Sequence, residues 1–200
     1  MSRSTLLFAL LSIVLVPSSP GDVIFTDVSV TGDFQDYAIF SMDNEPYVDS
    51  IWFRFGDALV GDPPAALRQG QITIQFTVIA DRDMLLDGRC LRITGDLLGS
   101  GQIGISETIE DLTQPGPLDG YDGTVDASDG LPLEVDTGFA RAVPSLRVTQ
   151  VITLVAPESG EPDLARIDIV RHEFSQIPVP EPASLVLLAL GGALVGHRKR

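Results

Sequence analysis

One cysteine, Cys90, stands in a chain of 200 residues, so no intrachain disulfide can form. The fold must therefore rest on its core. The 155 residues between the two apolar ends suffice, because a chain of that size buries roughly two-thirds of its unfolded surface. Lysine is almost missing as well: Lys199 is the single one, and arginine supplies the rest of 13 basic residues against 28 acidic ones. Between the two apolar ends there is one histidine, His172, and one cysteine, which cannot build a typical zinc site. Setting aside Arg3, Arg198, Lys199, Arg200 and Glu181 leaves nine basic and 27 acidic residues, a formal charge of −18. Such a field repels nucleic acid and bare anionic lipid, and neither is expected as a partner. It favours solubility, divalent cations and cationic surfaces, with a solvated acidic surface as the first reading.

Long apolar runs are confined to the ends. Leu6–Val16 follows a start that carries Arg3, and Pro17-Ser18-Ser19-Pro20-Gly21 comes next. This is the layout of a secretory signal. As a helix the run would reach only ~16 Å, against ~30 Å of hydrocarbon, and Pro17 ends it. Cleavage after Ser18 or after Gly21 puts small residues at the two positions that matter. Cleavage after Ser19 is disfavoured by Pro20.

At the other end, Ile177-Pro178-Val179-Pro180-Glu181-Pro182 reads as a stiff, extended linker. The apolar stretch Ala183–Gly196 follows, including Leu185, Leu188, Gly192 and Val195, then His197-Arg198-Lys199-Arg200. The basic end resists crossing and stays cytoplasmic, and together with the secretory signal at the front it puts the acidic segment between the two apolar ends outside the inner membrane. Fourteen residues give a helix of ~21 Å, short for a permanent span even with snorkelling and bilayer thinning. Gly191, Gly192 and Gly196 weaken it further, and Gly192-xxx-Gly196 alone is a weak helix-packing signal.

Pro180-Glu181-Pro182, a short Leu/Gly/Ala helix and a terminal basic cluster resemble the PEP-CTERM sorting signal, over Val179–Arg200. The same module is sometimes labelled the ice-binding protein C-terminal domain, a label that describes the tail and not an activity. The N-terminal secretory layout implies the Sec translocon and signal peptidase, and the resemblance implies handling by an exosortase of a two-membrane bacterium. The resemblance also implies a transient inner-membrane anchor, removal or exchange of the tail, and delivery to the cell surface or exopolysaccharide matrix. Glu181 would then belong to a recognition signal. The organisation expected is a signal peptide over 1–21, a passenger over 22–176 and a sorting signal over 177–200.

The passenger is β in texture. Gln71–Ala80 alternates Ile72, Ile74, Phe76 and Val78 against Thr73, Gln75 and Thr77, the period of a half-buried strand. Asp22–Val30, Tyr37–Met42, Val48–Phe55, Cys90–Ile93, Gln102–Ile109, Leu146–Val155 and Ala165–Phe174 also read as strands, rich in Val, Ile, Thr and Phe. Turn signals such as Asp87-Gly88 and Asp129-Gly130 separate them. The sum predicts an all-β, antiparallel, jelly-roll-like β-sandwich, flanked by a signal segment and one short C-terminal membrane helix.

Candidate sites are few. Gly99-Ser100-Gly101-Gln102-Ile103-Gly104 matches the dinucleotide GxGxxG spacing, but no βαβ unit surrounds it, so a glycine-rich turn is predicted. Asp119, Asp122, Asp126 and Asp129 lie in LDGYDGTVDASDG and could offer oxygens to calcium, although not in EF-hand register. Turn-forming, solvated aspartates are the competing reading. No cofactor is expected, with calcium as the open exception. His172, beside Glu173, is read as structural, since no nucleophile motif accompanies it. Cys90 is read as a small buried hydrophobe. Trp52 and Phe53 are expected in the core. An exposed strip of Trp52, Phe53, Tyr37 and Tyr47 would instead favour glycan binding. The sequence thus points to a non-enzymatic surface or matrix protein associated with exopolysaccharide, ahead of a glycan- or calcium-binding module and a secreted hydrolase.

Overall fold

The computed structural model describes residues 22–45, 48–62, 67–114, 116–159 and 162–179. The expected signal peptide, Tyr47, the Pro180-Glu181-Pro182 triplet, the apolar stretch and the basic end all lie outside them. Among the described residues there are ten strands, beginning with β1 (Ile24–Gly32), β2 (Ala38–Glu45), β3 (Val48–Gly61), β4 (Gln69–Ile79) and β5 (Met84–Leu98). They are followed by β6 (Gln102–Asp111), β7 (Pro117–Asp126), β8 (Leu133–Val143), β9 (Ser145–Val155) and β10 (Leu164–Pro178). One 3-10 turn, Gln35–Tyr37, joins β1 to β2. No helix among the described residues is long and apolar enough to cross a membrane.

The strands form two five-stranded antiparallel sheets, ordered β1-β4-β9-β6-β7 and β2-β3-β10-β5-β8. Leaving aside β1 and β2, the remaining eight give β4-β9-β6-β7 over β3-β10-β5-β8, the two four-stranded sheets of a jelly roll. β1 and β2 then extend one side of each sheet. The expected β-sandwich is therefore present. β10, the last strand among the described residues, is central in its sheet.

Alternation drives the packing. β9 buries every second residue from Leu146 to Leu154 with no exception. β4 does the same through Ile72, Ile74, Phe76 and Val78. Phe25, Phe53, Phe76 and Phe174 meet between the sheets, with Phe53–Phe76 ring centroids 5.8 Å apart and tilted. Each such side chain contributes about 1.5–3 kcal/mol on burial.

Four readings of the sequence change here. LDGYDGTVDASDG is not one loop: Pro117–Asp126 is strand β7, whose pairing with β6 overrides its turn-prone composition. Ile177 and Pro178, expected in the linker, still belong to β10 and pair with Leu85 and Met84. Trp52 points outward, because Ile51, Phe53 and Phe55 take the inward positions of β3. Cys90 is half-buried and outward, because its neighbours Arg89 and Leu91 are the inward residues of β5.

Candidate functional site

The outer face of the β2-β3-β10-β5-β8 sheet gathers the most chemistry. Residues opposite one another in an antiparallel pair share a face. One row therefore runs Trp52, Arg171, Arg92, Glu134, and the next runs Ser50, Glu173, Cys90, Asp136. Trp52 is half-buried, with the Arg171 guanidinium carbon 4.2 Å from its ring centre and that of Arg54 at 6.0 Å. Its Nε1 donates to Ser50 Oγ at 2.8 Å, and Arg171 pairs with Glu173 at 2.7 Å. Cation–π contact of this kind is worth ~0.5–1 kcal/mol at exposed sites and fixes the ring's orientation.

Beside this row lies an open groove of about 410 Å³ across β10, β5 and β8. Asp87, Asp136, Thr137, Glu173 and Ser175 line it, and Gly88 and Gly138 form its floor. At Gly138 no atom lies within 4 Å of where a Cβ would stand, so the groove is open at that point. Cys90, Glu134 and Asp136 bring one ligand atom each within 4.8 Å of one another. Burial, then the Asp136, Glu173 and Glu134 carboxylates, push the Cys90 thiol up to about 12, which keeps it protonated and unreactive.

Of the four predicted calcium carboxylates, Asp126 and Asp129 meet in one turn, while Asp119 and Asp122 part on β7. Asp119 and Asp122 are three apart on β7 and so point to opposite faces. Asp119 turns toward the interior, whereas Asp122 lines a shallow depression on the outer face of the other sheet. Asp126 closes a turn: its Oδ1 accepts from Ser128 N and Oγ and from Asp129 N, and these bonds hold its carboxyl below the usual range. Asp129 caps the same turn from the other side, accepting from Asp126 N at 3.4 Å.

A second locus is internal. Arg89, Glu107, Gln150 and His172 come from β5, β6, β9 and β10, and each is fully or almost fully buried between the sheets. Arg89 Nη2 lies 2.5 Å from Glu107 Oε1, a charge contact without hydrogen-bond alignment. Gln150 Nε2 donates to Glu107 Oε2 at 3.3 Å, and Gln150 Oε1 lies 3.3 Å from His172 Nε2. His172 Nδ1 is 3.7 Å from Glu107 Oε2, and Phe76 and Phe53 stack edge-on against the imidazole. Burial pushes Glu107 up to about 7, with Arg89 opposing and Asp119 adding to the rise. Burial, then the Arg89 charge, pushes His172 down to about 3, so it is neutral at physiological pH. Glu107 and His172 thus have perturbed protonation while their side chains are closed off from solvent.

The glycine motif has a structural purpose. Gly99 has φ +58°, and a Cβ there would run into Asp163 Oδ1 and the Pro162 carbonyl. This close approach lets Ser100 N donate to Asp163 Oδ1 at 2.7 Å, while Ser159 N and Oγ also donate to that carboxylate. Backbone donation from Ser100 and the Ser159 bonds, against burial, lower Asp163 to about 2. The predicted turn is thus one half of a latch between the β5–β6 and β9–β10 connections.

Residues 178–200 match the PEP-CTERM protein-sorting motif. The chain carries a PEP-CTERM sorting domain. The motif supports an exported, membrane-anchored precursor that is sorted to the cell surface, with exosortase as its processing partner. No curated protein matches the chain. Among solved structures, a carbohydrate-binding module, TmCBM61 with β-1,4-galactotriose, has 7% identity and a TM-score of 0.33, covering 76% of this chain and 89% of its own. A family 11 carbohydrate-binding module from Clostridium thermocellum, solved with a mixed-linked tetrasaccharide, has 10% identity and a TM-score of 0.25 over 82% and 99%. The enzymatically active domain of bacteriophage CBA120 tailspike protein 4 has 12% identity and a TM-score of 0.31 over 78% and 19%. Scores this low assign neither ligand nor activity to the PEP-CTERM passenger.

Proposed function

We propose that this PEP-CTERM protein is a non-enzymatic component of the cell surface or extracellular matrix of a two-membrane bacterium. Signal peptidase removes its N-terminal segment, exosortase processes its tail, and its sandwich associates with exopolysaccharide. The observation that carries the glycan reading is the placement of Trp52, the chain's one tryptophan, on an outer sheet face. Its ring is held in place by Ser50 and Arg171, and on the same face lie Glu173, Asp136 and Ser175 as hydrogen-bonding groups along an open groove. An aromatic edge next to polar groups suits sugar rings, which present apolar faces and rims of hydroxyls.

The non-enzymatic reading is supported by where the reactive groups sit. His172 and Glu107 are sealed in the core, and Cys90 is held protonated. Affinity electrophoresis of the secreted protein through gels containing the host's exopolysaccharide tests the proposal. Retardation that disappears in Trp52→Ala and in Gly138→Leu is expected; equal mobility of all three with and without polysaccharide would sink it. Gly138→Leu fills the groove at a position with room for a side chain, so loss of binding there does not report misfolding.

A further inference from the structure

The sorting motif begins inside the folded sheet. Its match starts at Pro178, which is the last residue of β10 and pairs with Met84. Val179 N then donates to the Asp83 carbonyl at 2.9 Å. The Pro180-Glu181-Pro182 triplet therefore follows a tied residue directly. Two extended residues reach at most about 7 Å. Five strands spaced ~4.8 Å apart, in sheets ~10 Å apart, make the end of the sandwich far broader than that. A membrane-embedded enzyme that must thread the triplet as extended chain would meet this end before it met Glu181.

The last stretch of β10 differs from the rest of the strand. Among the described residues, its pairing with β3 ends at Phe174–Asp49, while pairing with β5 continues to Pro178. The register with β5 shifts between Ser175 and Gln176, marking a bulge at that boundary. Phe174 is the last buried residue among those described, whereas Ile177 is 39% and Val179 is 41% exposed. Beyond its one-sided ladder with β5, the stretch is held by polar bonds to Asp87, Asp49 and Asp81. Ser175 Oγ donates to Asp87 Oδ1 at 2.6 Å, Gln176 Nε2 donates to Asp49 Oδ2 at 3.3 Å, and Gln176 Oε1 accepts from Asp81 N at 3.1 Å. Bonds of this kind contribute about 0.5–1.5 kcal/mol each, so local opening costs far less than unfolding.

We infer that Ser175–Val179 is a releasable strap that the tail-processing enzyme takes as extended chain together with the Pro-Glu-Pro triplet. Its release adds five residues, about 17 Å of reach, without exposing the core beyond Phe174. Asp49 is the latch, and the same Oδ2 accepts from Val23 N at 2.9 Å, so the residue just before β1 and the strap meet at one carboxylate. This rests on the reading that exosortase processes the tail.

The test is made in the native host by following loss of the tail in intact mass. Leu85→Cys with Ile177→Cys, in a Cys90→Ser background, joins register partners and staples the strap. Stapling is expected to slow tail loss at least several-fold. A Gly/Ser spacer inserted between Val179 and Pro180, or reductant, should restore it. Gln176→Ala, which needs no oxidation, should speed processing. Rates equal to the Cys90→Ser parent in both the stapled and the Gln176→Ala proteins overturn the strap. A parent that keeps its tail in the mature protein overturns the processing reading instead.

Discussion

The middle of the sandwich and its ends treat carboxylates in opposite ways. In the middle, Glu107 is held against Arg89 in a dry layer, and burial drives its proton affinity up. At the ends, Asp163 and Asp111 sit among N–H and O–H donors, which outweigh burial and hold both down to about 2. Asp111 accepts from Thr113 N and Oγ, Gln114 N and the Arg141 guanidinium. The ends use charge to tie loops together. The middle contains a charge whose removal from water is repaid only by its partner. The difference teaches that perturbed protonation here marks packing, and that reactive chemistry must be sought on the outer faces.

The sharpest way to break the comparison is to strip the middle of one partner. Arg89→Leu leaves Glu107 buried without its countercharge and should cost about 3–5 kcal/mol, read by denaturant melts at pH 8. Arg89→Leu with Glu107→Leu should recover most of that loss, because two apolar residues need no compensation. A double variant as unstable as the single one would contradict the account of the middle.

The pH profile separates the two regions next. Glu107 has a raised folded value, so its contribution is complete below 4.5 and is lost as pH rises through about 7. His172 has a lowered folded value, so its contribution is complete above 6.5 and is lost as pH falls through about 3. Between 4.5 and 6.5 the two slopes oppose, at ~1.4 kcal/mol per pH unit each, and stability should be flat. It should fall on both sides. In His172→Gln the flat region should become a rise toward acid, down to about 4.5. An unchanged profile in that variant would assign the acid loss elsewhere.

At the ends, Asp163→Asn should lower Tm at pH 7 by less than Arg89→Leu does. It should also remove part of the acid loss that begins below 3.8 and runs to about 2, since a depressed carboxylate contributes only while ionised. The smallest stability effect is expected for Trp52→Ala, an outward residue, whose cost should appear as lost retardation in polysaccharide gels.

Much of this was legible beforehand, and the misses have physical causes. The strands rich in Val, Ile and Phe announced themselves by period 2. The internal layer is legible too, as breaks in the apolar phase. Glu107 interrupts Ile103, Ile105 and Ile109, Arg89 precedes Leu91 and Ile93, Gln150 interrupts Val148 and Ile152, and His172 separates Val170 from Phe174. Each is a polar residue in the inward phase of an alternating strand. β7 was hidden because Asp119-Gly120 and Asp122-Gly123 favour turns when read locally, and only pairing with β6 decides otherwise. Trp52 was hidden because Ile51-Trp52-Phe53 is apolar in both phases, so alternation alone does not choose which ring faces out. The centrality of β10 and the tie between Gln176 and Asp49 span residues far apart in sequence, and no local pattern records them.

The most direct test of the central claim is the intact mass of the protein recovered from the surface or matrix of its own host. The account predicts a mature chain that begins after Ser18 or Gly21 and lacks Arg198-Lys199-Arg200. A surface-recovered chain still carrying Met1, or still ending in those three residues, would contradict it.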